Sequence, residues 1–202
     1  MIKRTLLLPV ATFALALLGC KGSNLSLRVD ADWRQRGAET FSQVFSVYQD
    51  AHREQSFILK CPISLAESPS AVLAKWMDRR RRLAVHAPTC VPKAYYCAFG
   101  TICEEYIEYS FWDQLALSSG ETMRLLTEGL ADLILVLASS GFSPSSIHDL
   151  RTRGTDCVLV DLGFDLGAFT SSAAEIDWPI WTERLSPAQT TYLKNYVQSH
   201  GF

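Results

Sequence analysis

The chain has no Cys-x-x-Cys pair, and its four histidines, at 52, 86, 148 and 200, are scattered. The paired ligand spacing of a structural zinc site is therefore missing. It has no internal repeat and no low-complexity stretch, which excludes repeat arrays and compositionally disordered linkers. Basic charge is not in excess: 19 Lys and Arg stand against 21 Asp and Glu, a formal net charge of −2. Nothing in that balance indicates a nucleic-acid partner. A membrane-spanning helix takes roughly 20 apolar residues. The uncharged run 5–19 is too short for that and is interrupted by Pro9. What the chain does have is apolar bulk. Hydrophobic residues make up 48%, with five tryptophans, the composition of a compact globule.

The N-terminus has the layout of an export signal. Lys3 and Arg4 give a basic start, residues 5–19 carry no charge, and Gly19-Cys20 closes the run. That ending resembles the lipobox of bacterial lipoproteins. The resemblance implies lipidation of Cys20 and a membrane anchor outside the cytosol. An ordinary signal can also end in Gly-Cys, which would leave Cys20 on a chain secreted or held in a secretory lumen. The bland reading is a buried apolar helix. With residues 1–20 removed, about 180 residues remain, one domain by length. Two of the 19 basic residues leave as well, so the net charge moves from −2 to near −4. The six cysteines are at 20, 61, 90, 97, 103 and 157. Disulfides are permitted in an exported chain, and the crowding of Cys90, Cys97 and Cys103 predicts a local bridge.

Residues 21–36 read as a polar tether. Apolar residues from Phe41 to Tyr48 predict a strand. Residues 56–61 predict a second, stopped by Pro62, and the two form a hairpin. Ser68-Pro69 opens a helix over residues 68–84, with Val72, Leu73, Trp76 and Leu83 on one face. Its four consecutive arginines, 79–82, read as a solvated face, or more sharply as a surface for anionic headgroups. Strands follow at 95–99 and 101–107, then an aromatic segment at 109–112. Ser118 and Glu121 predict a capping box at the start of a long buried helix that ends at Gly141. A second hairpin is expected from residues 145–150 and 157–162 around a turn at 151–156. Ser186-Pro187 starts a terminal helix. This order predicts an α+β fold with a small sheet at the front.

The parts, in this order, resemble a divergent protein kinase over residues 37–167. Gly37, Phe41 and Val44 are similar to a worn phosphate-covering loop. Phe57-Ile58-Leu59-Lys60 resembles the strand whose lysine pairs with the phosphates of ATP. Residues 68–84 stand where the regulatory helix of the small lobe belongs. Residues 102–108, with Glu104, Glu105 and Tyr106, resemble the hinge. Val158-Leu159-Val160-Asp161-Leu162-Gly163 resembles the strand and motif whose aspartate holds magnesium. The resemblance implies a two-lobed fold: a small antiparallel lobe over about 37–103 and a trimmed helical lobe over about 104–202. It also implies ATP and magnesium as cofactors if nucleotide binding survives, with Gly37, Lys60 and Asp161 at the nucleotide and Asp161 on the metal.

Departures from the family pattern bear on activity. Kinase catalysis needs a base, an asparagine on one metal and an aspartate on the other. A gapless placement from Asp161 puts His148 on the asparagine and Ser143 on the base. Serine takes no proton at neutral pH, and imidazole is a poor magnesium ligand. A gapped placement makes Asp149 the base, with residues 148–151 as the catalytic loop, and deletes most of the second hairpin. The helix from Ser68 carries no glutamate for Lys60. Asp78 is its only acid, and Glu67 precedes its cap. Only 39 residues follow Gly163, too few for a full helical lobe. Three readings follow: a pseudokinase acting as a scaffold for an unknown protein partner, an active phosphotransferase using Asp149, or a lipid-anchored envelope protein that binds through the aromatics at 109–112.

Overall fold

The computed structural model describes residues 25–29, 40–49, 54–64, 68–98, 101–144, 147–162, 166–169 and 175–201. The export signal with Cys20, Gly37, Glu67 and Gly163 lie outside the described residues. The chain divides into two compact units. The first holds the described residues up to Leu73 together with Lys93–Tyr106; the second holds Ala74–Pro92 and the residues from Ile107 onward.

The first unit is a five-stranded antiparallel sheet in the order β1-β2-β3-β5-β4. Its strands are β1 (Leu25–Val29), β2 (Thr40–Gln49), β3 (Glu54–Ser64), β4 (Ala94–Ala98) and β5 (Thr101–Glu105). Strand β1 corrects the expected tether. Leu25, Leu27 and Val29 alternate with Ser26 and Arg28, the period of a strand, and the segment pairs with β2 from Leu25↔Gln49 to Val29↔Phe45. Pro62 does not stop β3, which runs on to Ser64. The register with β5 ends at Lys60↔Ile102, whereas the register with β2 continues to Thr40↔Ser64. Pro62 therefore sits where β3 has lost one neighbour, so its missing N–H breaks no ladder on that side.

Between β3 and β4 runs α1 (Pro69–His86). The Ala71 amide donates to Ser68 Oγ at 3.3 Å, and Pro69 needs no amide partner at the first position. Val72, Leu73, Trp76 and Leu83 are buried along one stripe. The four arginines do not form one face, because successive helical residues point about 100° apart. Arg80 falls on the stripe of Trp76 and is buried, with Nη1 donating to the Pro92 carbonyl. Arg82 points outward and pairs with Asp78 at 2.8 Å. Arg81 and Arg82 are exposed while Arg79 is half-buried and Arg80 buried, so only part of 79–82 is a solvated face and the four do not make one continuous basic surface.

The second unit is built around α3 (Gly120–Ser139). Leu126, Leu130, Leu133, Ile134 and Leu137 pack with Phe111, Leu150, Trp181 and Leu193 into one core. Burying each such side chain contributes roughly 1.5–3 kcal/mol. Gly141 ends the helix at φ +74, and its amide donates to the Ala138 carbonyl at 3.1 Å. The predicted capping box is absent. Ser119 is the residue before α3, and Ser118 closes α2 (Phe111–Leu117), its hydroxyl donating to the Gln114 carbonyl at 2.7 Å. Two helices meet there, and Ser118 serves the first. The aromatic segment is divided between core and surface: Phe111 and Trp112 are buried, Trp112 Nε1 donating to the Ile147 carbonyl at 2.9 Å, whereas Tyr109 is exposed.

Strands β6 (Tyr109–Ser110), β8 (Leu150–Arg153) and β9 (Asp156–Leu159) form one small sheet; β7 (Phe142–Pro144) and β10 (Leu166–Phe169) form another. The hairpin turn is tighter than residues 151–156. Arg151↔Val158, Thr152↔Cys157 and Arg153↔Asp156 are paired, and Gly154 turns the chain at φ +64. A short helix not foreseen, α4 (Trp178–Thr182), buries Trp181. The last helix, α5 (Pro187–Ser199), starts at a capping box between Ser186 and Gln189. Among the described residues no helix is long and apolar enough to cross a membrane. The architecture is α+β, with a five-stranded antiparallel unit and a second unit of helices and two small sheets.

Candidate functional site

Lys60 lies on β3 opposite Ile102 of β5. Side chains two apart on a strand share a face, so Glu104 follows Ile102 on the side that carries Lys60. Lys60 Nζ and Glu104 Oε2 are 2.9 Å apart, with side chains only 12% and 6% exposed. The carboxylate partner of Lys60 thus comes from the neighbouring strand. Reading residues 102–108 only as a hinge hid this role. Alternation on β5, laid beside Lys60 in the sheet register, is the signal that finds it. Asp78, the helix acid considered for Lys60, pairs with Arg82 instead.

In the second unit, Asp161 follows β9. Arg79 reaches the same motif from α1: its Nη1 donates to the Leu162 carbonyl at 3.1 Å. Burial lowers the pKa of this guanidinium, and the Asp161 charge acts in the opposite direction, favouring the cation. The group stays charged at any working pH.

His148 and Asp149 occupy the turn before β8. Arg184 Nη2 lies 2.8 Å from His148 Nδ1. A guanidinium only donates, so Nδ1 accepts. Glu183 Oε1 lies 3.8 Å from the same nitrogen, and the Arg184 guanidinium stacks 5.5 Å from the centre of the Trp112 ring. Ser143 is the middle residue of β7, half-buried between the buried Phe142 and Pro144. Leu150 and Arg151, which the gapped placement assigns to a catalytic loop, are strand residues paired with Leu159 and Val158.

A magnesium site gathers hard oxygen donors around one point. Among the described residues no three His, Cys, Asp or Glu side chains converge to hold a metal. Asp161 has the Arg79 guanidinium in its field. On the gapless placement the second ligand is the His148 imidazole, a poor donor for magnesium, and on that placement the pair does not suit a magnesium site of the kinase kind.

The bridge expected near Cys90 is not formed by the described thiols, because Cys90, Cys103 and Cys157 are free. Cys90 belongs to the core of the second unit, whereas Cys103 lies on β5 of the first. Burial pushes the thiols of Cys90 and Cys103 up to about 11, and that of Cys157 well above its ordinary value. Neutral, enclosed thiols are packing groups rather than nucleophiles.

No family model matches the chain, and no curated protein matches it. Among solved structures it is similar to the aminoglycoside phosphotransferase APH(2'')-Ib, whose crystal structure contains ADP. The likeness covers 93% of this chain and 82% of that one, at 12% identity and a TM-score of 0.48. What that enzyme binds is a property of that enzyme.

Proposed function

We propose that this chain is an exported kinase-like binding module that has lost phosphotransfer, with at most residual nucleotide affinity at Lys60. One observation carries the reading: Leu150 and Arg151 are paired within the β8–β9 hairpin. The gapped catalytic loop would have to unpair them. The gapless placement keeps the hairpin and leaves Ser143 as base and His148 as metal ligand. A serine hydroxyl cannot accept the substrate proton at neutral pH. His148 Nδ1 already accepts from Arg184. Phosphoryl transfer depends almost wholly on positioning and charge neutralisation, and both are missing from this loop. The buried ion pair of Lys60 and Glu104 supports retention of the frame without the chemistry.

Purified protein incubated with radiolabelled ATP and magnesium should transfer no phosphate above a protein-free blank, and Asp149→Asn should change nothing. Transfer that Asp149→Asn abolishes would establish an active phosphotransferase instead.

Export and anchoring at Cys20 complete the proposal. The basic start, the uncharged run 5–19 and the Gly19-Cys20 ending support it. Expressed from the full sequence in a bacterial host, the protein should incorporate labelled palmitate and sediment with membranes. Cys20→Ser should move it to the soluble fraction. Unlabelled wild type in the soluble fraction would remove the anchor.

A further inference from the structure

We infer that Arg79 takes the place of a divalent ion at Asp161: a tethered guanidinium holds the Asp161-Leu162 segment that a metal would otherwise organise. This rests on the kinase-like reading of the Asp161 motif and deepens it. Arg79 and Leu162 are 83 residues apart in sequence, and the 3.1 Å bond joins α1 directly to the backbone after Asp161. Leu162 is itself buried, so its carbonyl needs a protein donor, and Arg79 supplies one. The same cation lies in the field of the Asp161 carboxylate.

Helix geometry explains why Arg79 is available. Trp76, Arg79, Arg80 and Leu83 follow one another at helical spacing along the inward side of α1. Trp76 and Leu83 fix the helix by burial, while Arg80 is held by the Pro92 carbonyl. Arg79 is thus delivered to Leu162 by packing rather than by a ligand.

A divalent ion entering here would meet a resident positive charge at close range, in a partly buried setting where like charges repel strongly. It would also compete with a group covalently held in position. The motif is compensated before any ion arrives, so nucleotide binding by this module does not require magnesium. Arg79 is a positioning residue, acting through the Asp161-Leu162 segment.

The test compares wild type, Asp161→Asn, Arg79→Met, Arg79→Lys and the Arg79→Met/Asp161→Asn double variant. Manganese binding is read by electron paramagnetic resonance with and without ATP, and stability by thermal melting. Wild type and Asp161→Asn should show the same manganese signal. Arg79→Met should gain a signal that Asp161→Asn removes, while Arg79→Lys, which keeps the charge, should gain none. Arg79→Met should melt about 5 °C lower, and adding Asp161→Asn should restore part of that loss. A wild-type manganese signal that Asp161→Asn abolishes overturns the inference, and so do additive melting shifts. If Arg79→Met fails to fold, the comparison of wild type with Asp161→Asn still decides. Phosphate transfer in the ATP assay would sink the functional proposal. An Asp161-dependent signal in wild type without transfer would sink only this inference.

Discussion

Glu104→Ala is expected to lower stability by about 3–5 kcal/mol, the cost of breaking a buried ion pair by removing one partner. The Lys60 and Glu104 side chains are 12% and 6% exposed and meet at 2.9 Å, so water does little to replace the lost carboxylate. Exposed pairs on this chain differ in kind. Arg82 and Asp78, at 46% and 50% exposure, should contribute about 0.2–1 kcal/mol. Lys60→Met should cost nearly as much as Glu104→Ala, because it strands the opposite charge. The Lys60→Met/Glu104→Leu double variant should recover most of the loss, since an apolar pair of similar volume removes both charges from the sheet. Urea denaturation of the four proteins gives the coupling energy. Independent, additive losses would mean that the pair is not a unit and that Glu104 does not position Lys60.

That pair also marks the limit of what the sequence makes legible. The helices are readable because their signals are local. Ser68-Pro69 and Ser186-Pro187 each begin a helix where expected, and Gly141 ends one at positive φ. The α+β order follows from those starts and from the strand patterns around Val44, Leu59 and Ile102. Failures occur where a local signal has two owners or depends on register. Ser118 matches a capping box for α3, but the preceding helix claims it. Pro62 reads as a stop until the loss of its β5 neighbour is known. Arg79 to Arg82 read as one block of charge, yet helical rotation sends Arg80 inward and Arg82 outward. The candidate site divides the same way. Lys60 and Asp161 can be picked out by their flanking apolar residues. Glu104 and Arg79 cannot, because a cross-strand diagonal and an 83-residue return are invisible to spacing.

Gly129→Ala is expected to destabilise the protein by about 1–3 kcal/mol, a lowering of the melting temperature by roughly 2–4 °C per kcal/mol. The sign runs against the usual rule, in which alanine in place of a helical glycine stabilises by about 1 kcal/mol. Gly129 lies in the middle of α3, where a Cβ would stand 2.2 Å from the Thr155 carbonyl oxygen and 3.3 Å from the Cys157 amide nitrogen. Both atoms are backbone, so no side chain can rotate away. They belong to the β8–β9 hairpin, whose Cys157, Val158 and Leu159 are fully buried. The hairpin must therefore shift as a body or the helix must retreat. Amide exchange should report which: if the hairpin yields, protection at Cys157 and Val158 falls more than protection along α3. A Gly129→Ala variant that melts at or above wild type would show that the helix and the hairpin are not locked together. The strand pairing of Leu150 and Arg151, on which the proposed loss of phosphotransfer rests, would then have no rigid support behind it.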